Sequence, residues 1–200
     1  MIQSRNDYRF YLEADRIALD RHEKHPRIDD GVWRFERLLR KVEYYHNCRH
    51  GRRWAAYKKY LSLRFHALSV LLGYSIPPNV FGPGLSISHP GTIVVNAGAK
   101  IGENCRIHVC VNIGTEAGYR TKAPRIGNNV YIGPGAKVYG DLEIADDVAI
   151  GANAVVDDSV LEPAITVAGV PAHKVSAKGS KGLVIPATQI LRQPGSARLA

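Results

Sequence analysis

Two hydrophobic periods divide the chain near Gly73. Upstream of it, Val32, Phe35, Leu38, Leu39, Val42 and Tyr45 recur at spacings of three and four, as do Trp54, Tyr57, Leu61, Phe65, Leu68 and Leu72. That spacing marks one face of an α-helix. Gly73 suits a helix C-terminus, and Pro77-Pro78 forbids continuation. Tyr8, Tyr11, Leu12 and Ile17 outline an earlier helix, separated from the next by His25-Pro26 and Asp29-Asp30-Gly31. The pattern predicts three helices, over about 7–22, 31–46 and 52–72.

Downstream, a branched aliphatic returns every sixth residue. Phe81, Ile87 and Ile93 are six apart, and a two-residue shift restarts the frame at Val95, Ile101, Ile107 and Ile113. After an interruption, Ile126, Ile132, Val138, Ile144, Ile150 and Val156 keep strict register. A period of six is neither helical nor simple strand alternation; it is the hexapeptide β-helix repeat, with three hexads to a coil. About twelve hexads predict four to five coils, stacked so that neighbours bury what a single coil cannot. Thirteen residues separate Ile113 from Ile126, so about seven are surplus, and the insert from Thr115 to Pro124 reads as an ejected loop of functional kind. The expected class is α+β: a helical region (1–73), a parallel β-helix (74–175) and an extended or disordered tail (176–200).

Composition changes the picture in one respect. The chain has 200 residues and a formal net charge of +9, which raises the question of a polyanion partner. The charge is +7 over residues 1–75, −2 over 76–175 and +4 over 176–200, so the repeat itself is not basic. The run Arg49, Arg52, Arg53, Lys58 and Lys59, with Trp54 and Tyr57 interleaved, reads as a solvated helix face rather than a nucleic-acid surface. No apolar run approaches a membrane span, and the N-terminus lacks a signal-peptide core. Three cysteines, Cys48, Cys105 and Cys110, have no metal-ligand spacing; reduced thiols and a cytoplasmic location are expected, with no metal.

Three segments carry a resemblance: Ile87-Ser-His-Pro-Gly-Thr-Ile-Val-Val95, the loop end Lys122-Ala-Pro-Arg-Ile126, and Val167-Ala-Gly-Val-Pro-Ala172 closing the last coil. With the helical front end they resemble the hexapeptide-repeat acyltransferases, and within them the serine acetyltransferase-like group. The resemblance covers roughly residues 60–175. It implies a left-handed parallel β-helix, assembly as homotrimers or dimers of trimers, and acetyl transfer from acetyl-CoA to a hydroxyl in a groove between neighbouring β-helices. It also implies His89 as the general base, a role that suits an imidazole near neutral pH. His108, about one coil later, is a rival or a substrate contact.

Departures from the family pattern matter as much. The family's Asp before the catalytic histidine is Ser88 here, the Asp about fifteen residues upstream aligns with Tyr74, and the Arg-His-Pro that grips the substrate carboxylate becomes Lys122-Ala123-Pro124. Ser88, Tyr74, Lys122 and His108 are therefore the candidate substrate contacts, with Glu116 a possible partner of the base. For CoA, the resemblance implies a path along small residues of the stacked coils, at Gly114, Thr115, Gly133, Ala136, Gly151 and Ala152. Lys137, His173 and Lys174 are candidates for its phosphates, and Ala168, Gly169 and Pro171 shape the last coil. The resulting expectation is an O-acetyltransferase acting on serine or, alternatively, on a sugar of a surface polysaccharide. A β-helix serving only as scaffold is the non-enzymatic alternative.

Overall fold

The structure is a computed structural model that describes residues 1–119 and 121–193. Three long helices precede the coil. The first, α1 (Arg5–Ala18), starts at Ser4, whose hydroxyl accepts from the Asp7 N–H. It stops four residues short of the expectation, because Leu19 caps it and Asp20 turns the chain with φ of 55°. The second, α2 (Gly31–Cys48), is capped by the Asp30 carboxylate on the Trp33 N–H at 3.0 Å. The third, α3 (Ala55–Leu72), follows a short 3-10 turn at Arg52–Trp54 and ends at Gly73. Gly73 has φ of 78°, and a Cβ there would sit 3.2 Å from the Gly91 backbone. No helix among the described residues is long and apolar enough to cross a membrane.

From Tyr74 the chain winds through three parallel faces, as the hexads predict. One face stacks β1 (Tyr74–Ser75), β3 (Ile93–Val95), β6 (Asn112–Gly114), β9 (Lys137–Tyr139) and β12 (Val155–Val156). The second stacks β2 (Ser86–Ile87), β5 (Arg106–Ile107), β8 (Tyr131–Ile132), β11 (Ala149–Ile150) and β13 (Thr166–Ala168), with β14 (His173–Ser176) closing it antiparallel. The third stacks β4 (Lys100–Ile101), β7 (Arg125–Ile126) and β10 (Glu143–Ile144). Hexad residues pair in register through the stack: Ile107 with Ile132, Ile132 with Ile150, and Ile150 with Val167. Every hexad aliphatic from Phe81 to Val156 is buried, and so is Cys105 at the fifth hexad position. Val32, Phe35 and Leu39 of α2 join the same buried cluster, so the helices complete the core of the coil.

The way the helices dock was not legible in the hexads. The first coil has no coil above it, and its upward-facing backbone groups would be orphaned. A buried charged cluster meets them. Asp15 accepts from the Gly84 and Leu85 N–H groups at 2.9 Å each, Glu43 accepts from the Asn79 N–H at 2.7 Å, and Glu36 accepts from the Ile87 N–H at 2.9 Å. Arg40 donates to the Phe81 and Gly82 carbonyls and to Asp15 and Glu43.

The C-terminal segment differs from the expected extended or disordered tail. It folds back along one corner of the coils and forms α4 (Ala187–Arg192), whose Ala187 packs on Ala14 and Ala18 of α1. Asn104 donates to Asn129, Thr188 and Gln189, and Arg192 forks onto Glu103 with two bonds of 2.7 Å. A low-complexity composition hid these long-range polar bonds. Residues 194–200 of that tail, and Arg120 of the insert, lie outside the described residues.

Candidate functional site

His89 sits where the chain leaves the second face and turns toward the first. Its side chain is exposed and lines an open cleft of about 520 Å³ with Ser88, Pro90, Leu72 and the connection between α1 and α2. That connection supplies Arg21, Arg27, Asp29 and Asp30, and α2 adds Trp33. Four of its charges pair within the chain: Arg21 lies 2.9 Å from Asp30, and Arg27 lies 3.3 Å from Asp29, while the carboxylate of Glu23 also lines the cleft.

The backbone beneath His89 is held firmly. Ser88 N–H donates to the Ile107 carbonyl at 3.1 Å in the ladder, and the Tyr74 hydroxyl donates to the His89 carbonyl at 3.0 Å. Tyr74 is buried, so the expectation that it contacts substrate is corrected: its one polar atom is spent on the histidine's own segment. Burial raises its phenol above the ordinary value.

His108 lies beside His89, as the spacing of one coil suggests. Its Nε2 is 3.3 Å from the Ser88 hydroxyl, which also accepts from Arg106 Nε at 3.3 Å. Its ring packs on Tyr131 at 5.1 Å. Burial, then the charges of Arg106 and His89, lowers its pKa below the usual histidine value, which favours the neutral ring. Ser88 therefore adjoins one histidine in sequence and contacts the other through its hydroxyl.

The insert is tied to itself. Lys122 pairs with Glu116 at 2.9 Å and lies 4.0 Å from the centre of the Tyr119 ring, while Glu116 N–H donates to the Lys122 carbonyl. Two expectations change. Lys122 is not an unpaired cation awaiting a carboxylate, and Glu116 serves Lys122 rather than His89. Neither residue lines the His89 cleft.

The residues expected along a CoA path divide by exposure. Gly133 and Ala136 are buried, and a Cβ on Gly133 would meet Ile150, Gly151 and Ala152 backbone atoms at 2.8–2.9 Å. Close stacking of coils accounts for both residues. Gly114, Thr115, Gly151 and Ala168 are half-buried, while Ala152, Gly169 and Pro171 are exposed, so these leave backbone within reach of a ligand. Lys137 donates to the Cys110 carbonyl at 2.6 Å, Lys174 pairs with Glu162 at 2.6 Å, and His173 is exposed on β14. No group of three His, Cys, Asp or Glu among the described residues is arranged to hold a metal. The basic run proves to be aromatic-backed: Arg49 lies over the Tyr44 and Trp54 rings, and Arg53 over Trp54.

Comparison with known proteins agrees with this architecture. The family model for the bacterial transferase hexapeptide (six repeats) matches residues 123–158. The serine acetyltransferase of Staphylococcus aureus (strain Mu50) is 39% identical over 128 residues, covering 61% of this chain and 59% of that protein. The chain thus spans about three fifths of the length of these curated relatives. Among solved structures, the serine acetyltransferase of Brucella abortus in complex with coenzyme A superposes with a TM-score of 0.65 at 26% identity, over 87% of this chain and 68% of that one. That of Neisseria gonorrhoeae in complex with serine gives 0.66 at 26%, over 86% and 71%. The fold is their left-handed β-helix, against the usual right-handed crossover. In sequence and in fold, the chain carries hexapeptide repeats and is similar to the serine acetyltransferases.

Proposed function

We propose that the chain is an acetyl-CoA-dependent O-acetyltransferase in which His89 activates the hydroxyl of a small acceptor, L-serine being the first candidate. The observation that carries this reading is an exposed histidine, backbone-anchored by Tyr74, at the rim of a cleft of about 520 Å³. The serine acetyltransferases that the chain resembles support it.

An alcohol is a weak nucleophile, and a thioester carbonyl is a ready electrophile. In this mechanism the His89 imidazole removes the hydroxyl proton as the oxygen attacks the thioester carbon. The tetrahedral oxyanion collapses, the C–S bond breaks, and the imidazolium returns its proton to the CoA sulfur. No covalent enzyme intermediate is required. Ser88 and the neutral His108 would contact the acceptor beside His89. Gly114, Thr115, Gly151, Ala152, Ala168 and Gly169 would receive the pantetheine arm on the coil surface, with Lys137, His173 and Lys174 near the phosphates. Pro171 shapes that end. The groove lies between neighbouring copies of a homotrimer, or of a dimer of trimers, in a cytoplasmic enzyme without a resident metal.

A sugar acceptor is the second reading, favoured by the charge pairing. A zwitterionic amino acid needs an available cation beside an available carboxylate; Glu23 offers the carboxylate, yet the arginines of the cleft are matched, Arg21 by Asp30 and Arg27 by Asp29. Paired groups of this kind serve neutral hydroxyls well. The test is thiol release from acetyl-CoA with L-serine and, separately, with neutral monosaccharides, for wild type and His89→Ala. A loss of about 10²–10⁴-fold in kcat is expected for the variant. Serine turnover equal to the variant's removes the serine reading, and no His89-dependent release with any acceptor leaves a scaffold.

A further inference from the structure

The segment Ser86-Ile87-Ser88-His89 ends on the candidate base, and its main chain is bonded at four points. Two are ladder bonds of the usual kind, from Ser88 N–H to Ile107 and from Ser86 N–H to Cys105. The other two come from side chains. Glu36 of α2 accepts from the Ile87 N–H at 2.9 Å, and Tyr74 donates to the His89 carbonyl at 3.0 Å. Both side chains are buried, Glu36 completely. Tyr74 is wedged edge-on against Phe35 at 4.8 Å, and Phe35 stacks on Phe65 at 5.3 Å.

Glu36 is chemically odd. Its second carboxyl oxygen is buried without a hydrogen-bond partner. A carboxylate in that setting is far more costly than a neutral acid. Burial, then the charge of Asp15, pushes Glu36 well above the usual carboxylate range, which favours the neutral acid. The other members of the buried cluster, Asp15, Arg40 and Glu43, anchor residues 79–85, where no candidate chemistry lies. Glu36 alone of the cluster reaches the histidine's segment.

We propose that Glu36 and Tyr74 are positioning residues for His89: through the Ile87 N–H and the His89 carbonyl they fix the backbone that aims the imidazole into the cleft. At the position where the resemblance expects a carboxylate to orient the ring, this chain instead locks the main chain. The consequence for catalysis rests on the reading of His89 as base; the consequence for the imidazole's setting does not.

The experiment pairs kinetics with a probe that needs no acceptor. The histidine ring carbon–proton resonances of the full chain are recorded for wild type, Tyr74→Phe, Glu36→Leu and Glu36→Gln, with His89 assigned by its loss in His89→Ala. Tyr74→Phe and Glu36→Leu are expected to shift or broaden the His89 signal. With acetyl-CoA and L-serine they lower kcat by about 10- to 100-fold at unchanged KM for acetyl-CoA. Glu36→Gln, which keeps a neutral acceptor toward Ile87, recovers most of what Glu36→Leu loses. Glu43→Gln, which acts on Asn79 and Arg40 and on no residue of the histidine's segment, lowers the thermal midpoint and moves neither readout. A folded Tyr74→Phe protein with an unmoved His89 signal overturns the proposal, as does a loss confined to KM. If His89→Ala turns over as fast as wild type, or serine is not acetylated, the base or acceptor reading fails separately and the resonance decides the positioning.

Discussion

Arg40 shows how a charge can be more structural than any aliphatic here. It is fully buried, and its guanidinium joins Asp15 at 2.7 Å, Glu43 at 3.1 Å and two carbonyls of the first coil. Removing one partner of such a group leaves uncompensated buried charge. Arg40→Ala is therefore expected to cost about 3–5 kcal/mol, read by urea unfolding, where an exposed arginine such as Arg34 changes stability by under about 0.5 kcal/mol. Glu36 carries a pH signature of opposite character to an ion-paired acid. Its carboxyl titrates higher in the folded chain than in the unfolded one, so the folded state holds the extra proton. Its contribution is complete below the unfolded value of about 4.3 and is lost as pH rises toward the folded value. Stability of wild type should accordingly fall relative to Glu36→Gln over that window; parallel pH curves for the two proteins would contradict it. Cys105 was readable from its hexad position alone: burial pushes its thiol up to about 12, which keeps it protonated near neutral pH. Tyr74 was not readable, because its partner is a backbone carbonyl fifteen residues away that no periodicity marks.

At the scale of elements, the coil is governed by how closely its rungs approach. Gly133 opens the turn to Ala136 without a positive φ that would demand glycine; its reason is the next rung, whose backbone atoms lie at 2.8–2.9 Å from a Cβ placed there. Backbone cannot swing aside as a side chain can. Gly133→Ala is expected to destabilise by about 1–3 kcal/mol in denaturant titration. A variant as stable as wild type would mean that the rungs part freely. The C-terminal segment follows a different rule. Ala187 is fully buried against two alanines of α1, and Arg192 is clamped by Glu103. Ala187→Asp should release this segment and create a protease-sensitive site near residue 187 while the coil stays intact. Uncleaved protein under conditions that digest an unfolded control would count against that docking. The composition of 176–200, without acids and with Gly, Ser and Pro, concealed the helix, since six residues make too short a period to stand out.

At the scale of the molecule, an apolar surface remains open in the single chain. Tyr60, Leu63, Val70 and Leu71 are exposed on α3, and Val94 and Tyr139 on the face that α3 enters. Large apolar side chains left open in this number on one helix suit a subunit contact. In the trimer proposed above, Leu71→Glu should shift the sedimenting species from three chains toward one; an unchanged trimer places the contact elsewhere. What the linear order of residues determined by itself is the local and periodic part: three helices, an inward aliphatic every sixth residue, a break between Ile113 and Ile126, and a histidine outside the regular coil. Those features follow from neighbours within a few residues and from repetition, which periodicity reports directly. Only the tertiary structure decided that Lys122 is matched by Glu116, that the tail returns to α1, and that buried Asp15, Glu36, Arg40 and Glu43 close the open end of the coil. Most of these contacts join residues 25 to 85 positions apart. Their physical cause is a stack that must end, leaving a row of backbone donors and acceptors that only distant side chains can satisfy.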